Sequence, residues 1–158
     1  MNAMIAEWSR AKAGALEFIE SMPEELFGFK PCPDVFSFAE QFVHVGEANF
    51  LFAALAAGRE NPYDKSKGVV SNDPAADPDL KTKKAALLDF TGASYDFLIE
   101  SMETVSPEAM AQMVTFHKWE MTREALFSKA LEHHAHHRGQ TVVYFRLNGL
   151  KPPAERLF

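Results

Sequence analysis

Four of the six histidines in the chain lie between positions 133 and 137. His133 and His137 are four residues apart, so they project from one face of a helix. Their stripe continues through Ala130 and Tyr144, which predicts that both rings face the interior. A fifth histidine, His44, shares its own stripe with apolar residues further along the chain and is also predicted to point inward. Side chains from two distant segments are therefore candidates for one site.

Three inward imidazoles need a partner, because buried charged rings repel one another and buried neutral rings waste hydrogen-bonding groups. Neutral imidazole is a good ligand for Zn, Ni, Cu or Fe(II). The pattern therefore predicts a divalent transition metal, with Zn, Ni or Fe as candidates, held by His44, His133 and His137. Three protein ligands leave a coordination position for water or substrate. The alternative interpretation is that these are ordinary core histidines.

For other polar residues near the three histidines, the sequence indicates a functional role less strongly. Glu47 lies three residues after His44 and about 60° around the helix, where it either acts at the metal or makes a surface ion pair. His134 and His136 are rotated from His133 by about 100° and 60° and are predicted to be solvated or to support the ligands. His134 also occupies the position at which a zinc peptidase helix carries its catalytic glutamate, so that motif is absent.

Composition narrows the class of protein. The chain has 158 residues, which predicts a single domain over residues 1–158. Its net charge of −6 disfavours a nucleic-acid partner, and no apolar run approaches the roughly 20 residues of a membrane span. Cys32 is the only cysteine, which fits a reducing compartment and predicts a cytoplasmic protein. Cys32 and His117 are both predicted to be ordinary loop residues.

Helical periodicity and capping signals predict four long helices, and so an all-α four-helix bundle. A Ser37–Glu40 capping box starts the second helix and Gly58 ends it, whereas Thr122 caps the last one. Residues 59–78 are predicted to form a long connection between the second and third helices, and residues 113–116 are a faint strand candidate. The predicted helices cover residues 2–20, 38–57, 78 to 102 or 104, and 123–148, with a short turn near 106–113.

Two segments of the chain resemble the DinB-like family of metal-binding helical proteins, which is distinct from the translesion polymerase of the same name. Residues 37–47 are similar to its second helix, and residues 133–153 to its His-x-x-x-His-Arg-Gly-Gln signature followed by Leu-Asn-Gly and Pro-Pro. The resemblance implies an up-up-down-down bundle, often a homodimer, that binds a divalent metal through three histidines. The motif positions that match those ligands are His44, His133 and His137.

The remaining signature residues have implied supporting roles. Arg138 and Gln140 would fix helix packing or support the site, and Gly139 would permit close helix approach. Because the family includes metal-dependent thiol transferases, the resemblance implies an enzyme that joins a low-molecular-weight thiol to an electrophilic small molecule. A metal-dependent hydrolase and a non-catalytic stress-response or binding module with a structural metal are the alternatives.

Overall fold

The chain is mostly helical in a computed structural model that describes residues 2–63 and 77–156. Helix α2 packs against α4 and α5, and α1 packs mainly against α4. No helix among these residues has the length and apolar character needed to cross a membrane. The helices are α1 (Asn2–Ser21), α2 (Phe38–Ala57), α3 (Pro78–Thr82), α4 (Lys84–Glu103) and α5 (Arg123–Leu147), with 3₁₀ turns at Glu24–Leu26 and Ala109–Ala111.

The helix that carries His44 begins and ends where its caps predict. The Ser37 hydroxyl accepts from the Glu40 amide at 3.2 Å, and the Glu40 carboxylate accepts from the Ser37 amide at 2.8 Å. At the other end, Gly58 adopts the left-handed conformation, with φ of 68°, and its amide donates to the Ala54 carbonyl. Both ends of α2 are therefore set by local contacts, as is the start of α5 at Thr122.

Acid should weaken the start of α2 through Glu40. The hydrogen bond from the Ser37 amide, together with Lys30 and Lys81, lowers the pKa of Glu40 to about 2. Because the folded-state pKa is lowered, this stabilisation is present above about pH 4.5 and is lost as the pH falls towards 2. We expect Glu40→Gln to lower the free energy of unfolding by roughly 2 kcal/mol at neutral pH. In urea unfolding, the free energy of unfolding of this variant should also fall less steeply than that of wild type as the pH decreases from 4.5 to 2. The exposed Glu120→Gln variant is the control, and an equally steep fall in wild type and Glu40→Gln would contradict the prediction.

The third predicted helix is two helices, which corrects the prediction of one helix from Pro78 onward. Lys83 has an extended backbone, with φ of −117° and ψ of 119°, and separates α3 from α4. The break allows the Glu24 carboxylate to accept from the Lys84 amide at 2.6 Å, which caps α4 from outside the helix. Most of the predicted connection at residues 59–78 lies outside the described residues, since these omit 64–76.

The all-α prediction also missed a small sheet. The faint strand candidate is confirmed as β1 (Met113–Phe116), and it pairs antiparallel with β2 (Trp119–Thr122). His117 lies in the two-residue turn with φ of 56°, a conformation for which glycine or asparagine is the usual signal. Because the turn carries neither residue, the sequence pattern indicated only the first strand.

A close approach between α2 and α4 occurs at Gly46. A Cβ at this position would lie 3.0 Å from Cζ and 3.1 Å from Cδ1 of Phe90 and would clash with its Cε1, and the Phe90 side chain is itself buried. At Gly139, no atom of another described element lies within 4 Å of the equivalent position, so the predicted close helix approach at that glycine is wrong.

These two glycines give opposite expected results when replaced by alanine. Gly46→Ala should destabilise the protein by about 1–2 kcal/mol, because the clash with Phe90 outweighs the gain in helix propensity. Gly139→Ala should stabilise it by about 0.5–1 kcal/mol, because α5 gains propensity without a clash. Urea unfolding checks both values, and a Gly46→Ala protein as stable as Gly139→Ala would show that α2 and α4 do not approach closely.

Candidate metal centre

Helices α2 and α5 bring together the three histidines that the sequence singles out. His44 lies on α2, whereas His133 and His137 lie one turn apart on α5. The Nε2 atoms of His44 and His133 are 3.1 Å apart, and each residue of the trio offers a nitrogen within 4.8 Å of the others. The side chains are thus close enough to share one ion.

The environment keeps the two α5 rings neutral near pH 7. Burial, helped by the neighbouring imidazoles, lowers the pKa of His133 to about 4 and that of His137 to about 3. Neutral imidazole is the form that donates a lone pair to a metal. Ring nitrogens that face one another fit a transition metal better than they fit each other, since two facing nitrogens share at most one hydrogen bond.

A hydrogen-bond chain orients His137, and its central residue is Gln41. The Gln41 carbonyl oxygen accepts from His137 Nδ1 at 2.6 Å, while its amide nitrogen donates to Gln140 Oε1 at 2.8 Å and to the Tyr144 hydroxyl at 3.0 Å. Tyr144 in turn donates to the Phe36 carbonyl at 2.7 Å. Because Nδ1 is engaged, the Nε2 lone pair of His137 remains for an ion.

Gln41 is the functional residue that sequence reasoning missed. It lies one turn before His44 and is only 1% exposed. A buried glutamine on the same stripe as a candidate ligand was the available signal, because a buried amide needs hydrogen-bond partners.

A cavity of about 470 Å³ opens beside His44 and His133. Its wall is largely apolar, and Phe52 contacts both the His133 ring and Phe116 of the hairpin. Glu47 is the acid on this wall among the described residues, and it is not part of the histidine cluster. The lining residues are His44, Glu47, Ala48, Leu51, Phe52, Asn61, Tyr63, Phe116 and His133.

Of the other residues predicted to support the site, some lie beside the three histidines and some do not. Gln140 joins the chain to His137 and also contacts His136 Nε2 at 2.8 Å. His136 is exposed and its ring packs edge-on against His137. Arg138 lies away from the three ligands, over the Phe18 ring at 5.6 Å.

His134 is separate from the cluster and is not solvated, since it is only 3% exposed. Its Nδ1 contacts the Tyr95 hydroxyl, and its ring packs near Trp8. Burial and the Arg138 charge lower the pKa of His134 to about 3, and burial raises the pKa of Tyr95. The phenol is therefore the donor and the imidazole the acceptor.

The two loop residues predicted to be ordinary stand apart from this cluster as well. Cys32 is exposed. His117 is exposed at the hairpin turn, where its ring contacts Phe116.

The fold and the site define a helical protein with three convergent imidazoles beside an apolar cavity. The chain belongs to the DinB superfamily, whose family model matches residues 7–141. Two solved structures of DinB-like proteins share the fold. One, from Bacillus subtilis, is 20% identical over 96% of both chains with a TM-score of 0.72. The other, from Bacillus cereus, is 14% identical over 99% of this chain and 97% of its own, with a TM-score of 0.80. No functionally curated protein matches the sequence significantly.

Proposed function

We propose that the protein is a metal-dependent enzyme that transfers a small thiol to an electrophilic small molecule, with one Zn, Ni or Fe ion held by His44, His133 and His137. The observation that carries the proposal is the convergence of three imidazoles at the edge of an apolar cavity. Two nitrogens that each bind zinc at about 2.0–2.1 Å lie no further than about 4.2 Å apart. The 3.1 Å between His44 and His133 meets this limit.

The donor set and the cavity support a catalytic role over a structural one. Structural zinc sites usually have four protein ligands, whereas the cluster among the described residues has three. When bound, such an ion lowers the pKa of a thiol or water that occupies its open position. The cavity beside His44 and His133 gives a substrate access to that position.

The residues that line the cavity have different roles in the proposed thiol transfer. Glu47 accepts the thiol proton, since it is the acid beside the histidines in the described part of the wall. The sulfur then forms the bond to the electrophilic carbon, and the leaving group departs with its bonding electron pair. Phe52, Phe116 and Leu51 exclude water and bind the apolar part of the electrophile.

Turnover assays on metal-loaded protein test this proposal. A panel of low-molecular-weight thiols paired with alkyl or aryl halides should show thiol consumption that chelation abolishes and Glu47→Gln lowers at least tenfold. Glu120→Gln, an exposed change on the hairpin, is the matched control. Hydrolysis of esters or amides without thiol turnover would favour the hydrolase. The absence of any turnover, with melting that depends on the metal, would favour a structural site.

The arrangement of the subunit is part of the same proposal. We infer that α1, α2, α4 and α5 form the up-up-down-down bundle of a single domain that works as a homodimer in the cytoplasm. Val143 and Leu147, one turn apart on α5, are 50% and 60% exposed and support an interface between copies. Sedimentation velocity at micromolar concentration should show the dimer, and a monomer would contradict it.

A further inference from the structure

A second cavity, of about 210 Å³, lies between α1, α5 and the C-terminal segment. On α5 it is lined by Leu131, His134, Ala135 and Arg138, which share one helical stripe. The candidate metal ligands follow a neighbouring stripe that is rotated by about 100°. The two sites therefore lie on different sides of α5.

The second cavity is rich in guanidinium groups. Arg10, Arg138 and Arg156 all line it. Arg10 is paired with Glu7, and the Arg156 Nε donates to Glu17 at 2.7 Å. In residues 2–63 and 77–156, Arg138 has no carboxylate partner. One positive charge at the cavity is therefore not balanced by an acid of the described chain.

Arg138 is half-buried, and part of its guanidinium group is shielded from water. Its Nε is buried and has no hydrogen-bond partner among the described residues. The guanidinium packs over Phe18, which is itself 2% exposed. Arginine keeps its proton at any relevant pH, so its charge is met either by water at the exposed part of the side chain or by an anion. His134, which also lines the cavity, is held by Tyr95 and adds no negative charge.

We propose that this cavity binds a small oxyanion, either a carboxylate or a phosphate group, through the guanidinium of Arg138. The planar fork of arginine matches two oxygens of either group, and Arg10 and Arg156 offset the charges of the glutamates with which they are paired. The volume is below the roughly 300–1,000 Å³ of pockets for drug-sized ligands, which suits a small anion or the anionic end of a longer molecule. Glu7 is the carboxylate on the same wall that opposes binding.

Calorimetric titrations with inorganic phosphate and with acetate, at constant ionic strength set by chloride, test the site. Wild type should bind one of the two saturably, and the tighter one identifies the phosphate or the carboxylate source. Arg138→Gln should weaken binding at least tenfold, and Arg138→Lys should weaken it less because the charge is kept. Glu7→Gln should tighten it severalfold. Arg146→Gln, an exposed change further along α5, is the matched control and should leave it unchanged.

Three results would overturn the proposal. These are an absence of saturable binding in wild type, unchanged binding in Arg138→Gln, and equal weakening in Arg146→Gln. Repeating the titrations in a His133→Ala background excludes anion binding at the metal centre. A failure of the anion site can therefore be told apart from a failure of the proposed function. If Arg138→Gln does not fold, the Arg10→Gln/Arg156→Gln double variant should still weaken binding severalfold, and unchanged binding in that variant would overturn the proposal.

Discussion

Replacing His133 by alanine is expected to reduce the bound divalent ion from about one per chain to nearly none. The Nε2 of His133 lies 3.1 Å from that of His44, so the change removes one of three facing donors. Losing an outer hydrogen bond at a metal site typically costs 10–100-fold in affinity, and losing a direct ligand should cost more. Mass spectrometry of protein purified without an affinity tag measures the metal content.

Arg146→Ala provides the control for this experiment. Arg146 is on the same helix, but it is exposed and lies more than three turns beyond His133. Its replacement should leave the metal content near one per chain. Stoichiometric metal in the His133→Ala protein would rule out the proposed ligand set, and equal losses in both variants would point to a general disturbance of α5.

Local signals in the sequence predicted where the helices that carry the three histidines begin and end. The Ser37–Glu40 capping box, Gly58 and Thr122 act through neighbours within a few residues, so the sequence alone contains their geometry. Periodicity likewise placed His133 and His137 on one inward stripe. Their meeting with His44, which is 89 residues before His133, depends on how α2 packs against α5. The inward stripes of both helices predicted a shared site, and the family resemblance matched the same three positions.

Three features that the sequence did not predict depend on tertiary contacts. Lys83 interrupts a good helical pattern because Glu24, from a distant turn, caps α4. His134 is buried because α1 and α4 cover it with Trp8 and Tyr95. Arg138 belongs to the second cavity for the same reason, since α1 and the C-terminal segment form its other walls. The spacing of residues within α5 does not indicate which other elements will pack against each side of the helix.

Gln41→Leu is expected to weaken metal binding by about 10–100-fold while leaving all three histidines in place. The variant removes the acceptor that holds His137 Nδ1, so the ring can rotate or change tautomer and present a protonated nitrogen to the ion. Leucine also leaves the buried groups of Tyr144 and Gln140 without their partner. Competition with a chromogenic chelator measures the dissociation constant.

Gln41→Glu separates the orienting role from a merely structural one. Glutamate keeps an acceptor for His137 Nδ1 but loses the donors to Gln140 and Tyr144. If Gln41 acts by orienting the ligand, Gln41→Glu should retain affinity close to wild type even where its free energy of unfolding falls as much as that of Gln41→Leu. Gln112→Leu, an exposed change before β1, controls for the added apolar side chain. Equal affinities in Gln41→Leu and wild type would show that His137 needs no support from α2, and the site would then depend on the positions of the imidazoles alone.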